Sequence, residues 1–116
     1  MVLGASEKTD RYANIAVKRL VANNHPVVAY GNKPGEIDGV PIITDFPVST
    51  EDIHTVTLYL SAKNQVPFYE DLIALNPKRV IFNPGTENAV FEQLLSEHQI
   101  AFEHACTLVM LSANTY

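Results

Sequence analysis

A chain of 116 residues, 47% hydrophobic and 18% charged, has the composition of one ordinary globular domain, long enough to bury roughly two-thirds of its unfolded surface. Its formal net charge of −5 argues against non-specific nucleic-acid binding, which needs a basic face to displace counterions. One cysteine, Cys106, excludes an internal disulfide and fits a reducing compartment. There is no basic segment followed by an apolar one, and no apolar run long enough to span a bilayer. Neither nucleic acid nor membrane is an expected partner, and the cytoplasm is the expected location.

Met1–Leu3 predicts a very short first strand running straight into Gly4, Ala5 and Ser6. Ala13, Val17, Leu20 and Val21 give a helical face over 12–23, with Thr9 or Asp10 as its cap and Asn23-Asn24 at its end. Val27–Tyr30 reads as a second strand, stopped by "GNKPG". Ile42 and Ile43 form a weak third strand between Pro41 and "TDFP", and Glu51-Asp52 reads as a solvated acidic turn before the fourth. That fourth strand, Val56–Leu60, is rich in β formers. Val66, Tyr69, Leu72 and Ile73 predict a second amphipathic helix, with Pro67 tolerated in its first turn and Asn76-Pro77 closing it. Val80–Phe82 is the fifth strand. A third helix through Val90, Phe91, Leu94, Leu95 and His98 follows, with Thr86 as its N-cap and Glu87 complementing its dipole. Ile100–Phe102 is a last short strand.

Short apolar strands alternating with helices imply crossover connections and a mainly parallel sheet covered on both faces. The expected fold is a single α/β domain over 1–116, a Rossmann-like three-layer α/β/α arrangement with strand order 3-2-1-4-5-6. In such a sheet the ligand crevice lies beyond the carboxyl ends of the strands, where strand order reverses. That places it at the loops after the first, second and fourth strands, where Gly4, Ala5, Ser6, Lys8, Arg11, Asn32, Lys33 and Ser61 fall.

The first loop resembles a phosphate-binding turn, yet the dinucleotide fingerprint G-x-G-x-x-G is absent, since Gly4 is the only glycine before Gly31. Dinucleotide folds usually place an acid after the second strand to bind the ribose diol; here Gly31, Asn32 and Lys33 stand there. A lysine suits a phosphate on the ribose, or simply a solvated turn. Of eight Lys and Arg residues, Lys8, Arg11, Lys33 and Lys63 follow strand carboxyl ends. The protein is acidic overall, so an anionic ligand needs such a local cluster. Phosphates at both the pyrophosphate and ribose positions describe coenzyme A, with the phosphorylated nicotinamide dinucleotide as the other candidate.

The stretches "VLGAS", "RYANIAVKRL", "AYGNKPGEIDGVPI", "FNPGTEN" and "ACTLVML" together resemble the small single-domain CoA-binding proteins, close to the CoA-binding domain of the succinyl-CoA synthetase alpha subunit. The resemblance implies a domain that binds CoA or an acyl-CoA as cofactor, with no evident reaction. It places Gly4, Ala5 and Ser6 near the phosphates, matches Arg11 to the arginine after that turn, and sets Asn32 and Lys33 against the 3′-phosphoribose. It does not extend to the synthetase's phosphohistidine and ligase regions. Asn83 and Gly85 are candidates for the pantetheine end of the crevice.

No catalytic constellation can be assembled from the sequence, and His25, His54, His98 and His104 lack metal-ligand spacing. Cys106 reads as an inert thiol, with a mixed disulfide to the CoA thiol as the sharper alternative. The competing functions are a small nicotinamide-dependent oxidoreductase and a protein-interaction domain that keeps a vestigial nucleotide crevice. A homodimer is compatible with the apolar content.

Overall fold

A computed structural model describes residues 1–46 and 52–116; Glu51, and with it half of the expected acidic turn, lies outside them. Among the described residues, seven strands form one sheet: β1 (Val2–Leu3), β2 (Ala29–Tyr30), β3 (Gly35–Ile37), β4 (Val40–Ile43), β5 (Thr55–Leu58), β6 (Arg79–Phe82) and β7 (Ala101–His104). Their spatial order is β3-β4-β2-β1-β5-β6-β7. All neighbouring pairs are parallel except the β3–β4 hairpin at one edge. With β3 set aside, this is the expected order 3-2-1-4-5-6, and the α/β Rossmann-like class stands. The order reverses at β1, whose neighbours β2 and β5 leave it in opposite directions.

The helices are α1 (Tyr12–Ala22), α2 (Ala62–Gln65), α3 (Tyr69–Leu75), α4 (Ala89–Glu97) and α5 (Thr107–Ser112). The period-two alternation of the strands divides their side chains between two cores. Leu3, Val56, Leu58, Val80 and Phe82 pack against Leu72, Phe91 and Leu95 of α3 and α4. Val2, Ala29 and Ile42 pack against Ala13, Val17 and Leu20 of α1 and Leu111 of α5. Burial of each large aliphatic or aromatic side chain contributes about 1.5–3 kcal/mol.

Four local expectations change. The hairpin was not foreseen: a two-residue Asp38-Gly39 turn pairs Ile37 with Val40, and both turn residues have positive φ, 47° and 85°, as this tight hairpin requires. The expected second helix is broken into α2, a 3₁₀ turn over Val66–Phe68 carrying Pro67, and α3. The cap of α4 is Asn88, whose side chain accepts from the Phe91 N–H at 3.1 Å. Thr86 instead donates its hydroxyl to the Asn83 carbonyl at 2.7 Å. Neither Thr9 nor Asp10 caps α1; Arg11 holds the N-cap position and makes no side-chain cap hydrogen bond.

Candidate functional site

The carboxyl ends of β2, β1, β5 and β6 open into one crevice of about 770 Å³. On its β1 side lie Gly4, Ala5, Ser6, Lys8 and Arg11, and on its β2 side Asn32 and Lys33. Ser61 lines it after β5, and Gly85 after β6. Nine of the ten sequence-derived candidates thus share one space; the tenth, Asn83, does not line it. Lys63 sits on α2 and does not line it either.

The first loop is built by close approach of backbone. The Gly4 and Ala5 N–H groups both donate to the Tyr30 carbonyl, at 2.9 and 2.8 Å, so they belong to the sheet rather than to a ligand. Gly4 has φ of 104°, and a Cβ there would lie 3.2 Å from the Tyr59 backbone. At Gly31 a Cβ would collide with the Ala5 carbonyl oxygen, so only glycine lets β2 exit this close beneath the loop. Asn14, on α1 and buried, donates to the Ser6 carbonyl at 2.9 Å. The exposed Glu7 carboxylate accepts from the Glu36 N–H at 2.9 Å and ties the loop to β3.

The donors that remain are those of α1. Arg11 has no capping side chain, and among the described residues the N–H groups of Tyr12, Ala13 and Asn14 find no acceptor. Arg11, Tyr12 and Ala13 line the crevice. Unpaired first-turn amides and the positive end of the helix dipole favour an anion at this point. Lys8, Arg11 and Lys33 are exposed around it, and none of the three forms an ion pair among the described residues.

The opposite half of the crevice is held by a buried polar network. Gln65, fully buried, donates to the Leu60 and Thr86 carbonyls, both at 2.8 Å, and accepts from Asn88 at 2.9 Å. It therefore clamps the loops after β5 and β6 together. Asn83 donates to Thr57 Oγ1 at 2.7 Å and to the Leu58 carbonyl at 2.9 Å, while its Oδ1 accepts from the Thr107 N–H at 2.8 Å. Its hydrogen-bonding capacity is used beneath the crevice, joining β5 and β6 to α5. The Tyr59 hydroxyl is buried beside the hydroxyls of Thr57 and Thr107, which bond each other at 2.7 Å and leave it without a well-aligned hydrogen bond among the described residues; burial outweighs the two threonines and pushes its pKa up to about 12. Cys106 is half-buried at the N-cap of α5 and does not line the crevice.

Sequence reasoning missed the aromatic part of the lining: Tyr12, Tyr30, Tyr59 and Phe68. Tyr30 and Phe68 meet edge to face with centroids 5.3 Å apart. Tyr30 is the last residue of β2 and Tyr59 directly follows β5; both fall within the strands read from the sequence, so a rule that looks beyond strand ends passes over them. Phe68 is brought in by the 3₁₀ turn, which the sequence did not signal.

A Rossmann-like crevice with a basic rim and no acid after β2 is compatible with several phosphorylated ligands. The profile of the CoA binding domain family matches residues 1–112. The chain belongs to the CoA binding domain family. A crystal structure of an uncharacterized protein is similar at 49% identity and a TM-score of 0.94, over 99% of this chain and 94% of that one. A hypothetical protein from Pyrococcus horikoshii OT3 matches at 24% identity and a TM-score of 0.87, over 97% of this chain and 80% of that one. The cell-free ID.343 protein from Thermus thermophilus matches at 19% identity and a TM-score of 0.87, over 99% and 87%. At their identities the last two show the fold alone. No protein of curated function matches the chain. Among the described residues, no helix of this CoA binding domain is long and apolar enough to cross a membrane, and no group of three or more His, Cys, Asp or Glu is placed to hold a metal ion.

Proposed function

We propose that this chain binds coenzyme A or an acyl-CoA as a binding module, with the phosphates over β1 and β2 and the pantetheine arm running toward β5 and β6. The observation that carries this reading is the asymmetry of the crevice. All three lining cations, Lys8, Arg11 and Lys33, and the uncapped start of α1 fall on the β1–β2 half. Against a net charge of −5, such a local cluster is what an anionic ligand needs.

In this reading the first-turn amides of α1 and the Ser6 loop receive the pyrophosphate. Gly4 contributes by leaving room, since its own N–H is committed to Tyr30. Asn32 and Lys33 meet the 3′-phosphoribose, where an acid would repel it. Ser61 and Gly85 flank the pantetheine, and Asn83 supports the floor beneath. From β2 to β6 is three interstrand steps, about 14 Å, a span an extended pantetheine arm can follow.

Calorimetric titration with CoA, acetyl-CoA, NAD and NADP tests the reading. CoA and acetyl-CoA are expected to bind and NAD to fail. Tight NADP binding without CoA binding would favour a nicotinamide enzyme, and silence with all four would favour a protein-interaction domain.

A further inference from the structure

The β5–β6 half of the crevice has a charge character of its own. Ser61, Asn64, Pro84, Gly85 and Thr86 line it, and every one is uncharged. Glu87 does not itself line the crevice, but its side chain is tied to a residue that does. Both carboxylate oxygens of Glu87 accept from the Gly85 N–H, at 3.0 and 3.1 Å, which pins this exposed group to a lining residue. Backbone N–H groups, its own and that of Gly85, hold the Glu87 carboxyl below its ordinary pKa, so it is an anion at neutral pH. His104 is paired with Glu92 at 3.0 Å; Lys63 and Glu87 both lie outside the lining, and of the two only the Glu87 side chain is hydrogen-bonded to a lining residue among the described residues.

We propose that this end of the crevice accepts CoA and uncharged acyl-CoA thioesters and rejects acyl groups that end in a carboxylate, with the Glu87 carboxylate as the rejecting group. The inference rests on the CoA reading, which sets the phosphates at the basic end and sends the thiol end toward Gly85. A terminal carboxylate arriving there meets a like charge and no lining cation. Neutral acyl groups meet only hydroxyl, amide and apolar surface. Specificity of this kind comes from a repulsive element rather than from an added contact.

The test is calorimetry at low salt with CoA, butyryl-CoA and succinyl-CoA, the last two having acyl chains of equal length. Succinyl-CoA should bind about five-fold more weakly than butyryl-CoA, the effect of one like charge near a water-exposed surface. Added salt should narrow the gap. Glu87→Gln keeps an oxygen to accept from Gly85 but removes the charge, and should bring succinyl-CoA to within about two-fold of butyryl-CoA. Equal binding of the two thioesters by the parent, tighter binding of succinyl-CoA, or an unchanged gap in Glu87→Gln would each overturn the inference while leaving the CoA reading intact. Failure of CoA itself to bind would overturn the CoA reading, and the inference with it.

Discussion

Gln65 holds the two loops that form one wall of the crevice, and its removal has a calculable consequence. The side chain is fully buried and makes three hydrogen bonds of 2.8–2.9 Å. Gln65→Ala deprives the Leu60 and Thr86 carbonyls of their donor and opens a cavity. Asn88 keeps a partner in the Tyr69 hydroxyl at 2.8 Å, so its loss is partial. One buried and one part-buried acceptor left unsatisfied, at about 1–3 kcal/mol each and partly relieved by relaxation, set the cost at about 2–4 kcal/mol. At about 4 °C per kcal/mol for a domain of this size, the melting temperature should fall by about 8–16 °C. Urea unfolding at unchanged m-value is the assay. Gln65→Leu fills most of the cavity but supplies no donor, so it should still lose about 2 kcal/mol. A Leu variant as stable as the parent, or an Ala variant that loses less than about 1 kcal/mol, would refute the view that these hydrogen bonds hold the loops.

Two further predictions concern single side chains lining the crevice. Lys33→Ala should weaken CoA about five-fold and leave dephospho-CoA nearly unchanged, because an exposed charge contact is worth about 1 kcal/mol; equal losses for both ligands in calorimetry would remove Lys33 from the 3′-phosphate. Tyr59→Phe should leave the urea midpoint unchanged or raise it, since the buried hydroxyl it removes has no well-aligned hydrogen bond among the described residues; a loss above about 1 kcal/mol would mean that the hydroxyl does bond the neighbouring threonines. The Tyr59 pKa is raised in the fold from 10.0 to about 12, so its contribution to stability is fully present below pH 10.0 and is lost as pH rises through about 12. The difference in phenolate absorbance between parent and Tyr59→Phe should therefore titrate near pH 12, and a difference titrating at the ordinary tyrosine value would contradict it.

The parallel part of the sheet was legible because each strand is a short apolar run between a helix and a turn, and Val2, Leu3, Val56, Val80 and Phe82 are buried accordingly. The hairpin is only faintly legible, although "DG" between "GEI" and "VPII" is a hairpin signal. Only Ile37 and Ile42 of those two strands are buried, too few to announce a pair by periodicity. Helix α5 was not legible, because its six residues are too short for a 3.6-residue pattern to stand out. The lining of the crevice was legible wherever position after a strand decides the matter, as for Ser6, Lys33 and Ser61. It was not legible where a contact distant in sequence decides. Asn83 and Gly85 both follow β6, yet Asn83 is turned into the Thr57–Thr107 network while Gly85 lines the crevice. The same holds for the Gly4 N–H, whose pairing with the Tyr30 carbonyl depends on a strand 26 residues further on.

The central claim is that the crevice at the carboxyl ends of β1 and β2 receives the phosphates of CoA. Two-dimensional NMR of the isotope-labelled chain during titration with CoA tests it most directly, because it reports where the ligand sits as well as whether it binds. The account predicts the largest amide shifts at Ser6, at Tyr12–Asn14 and at Asn32-Lys33, with smaller shifts near Ser61 and Gly85. A second hollow, lined by His25, His54, Arg79 and Tyr116 near the amino ends of the strands, should stay unperturbed. Shifts concentrated there, with the amides of Tyr12, Ala13 and Asn14 unmoved at saturation, would contradict the claim.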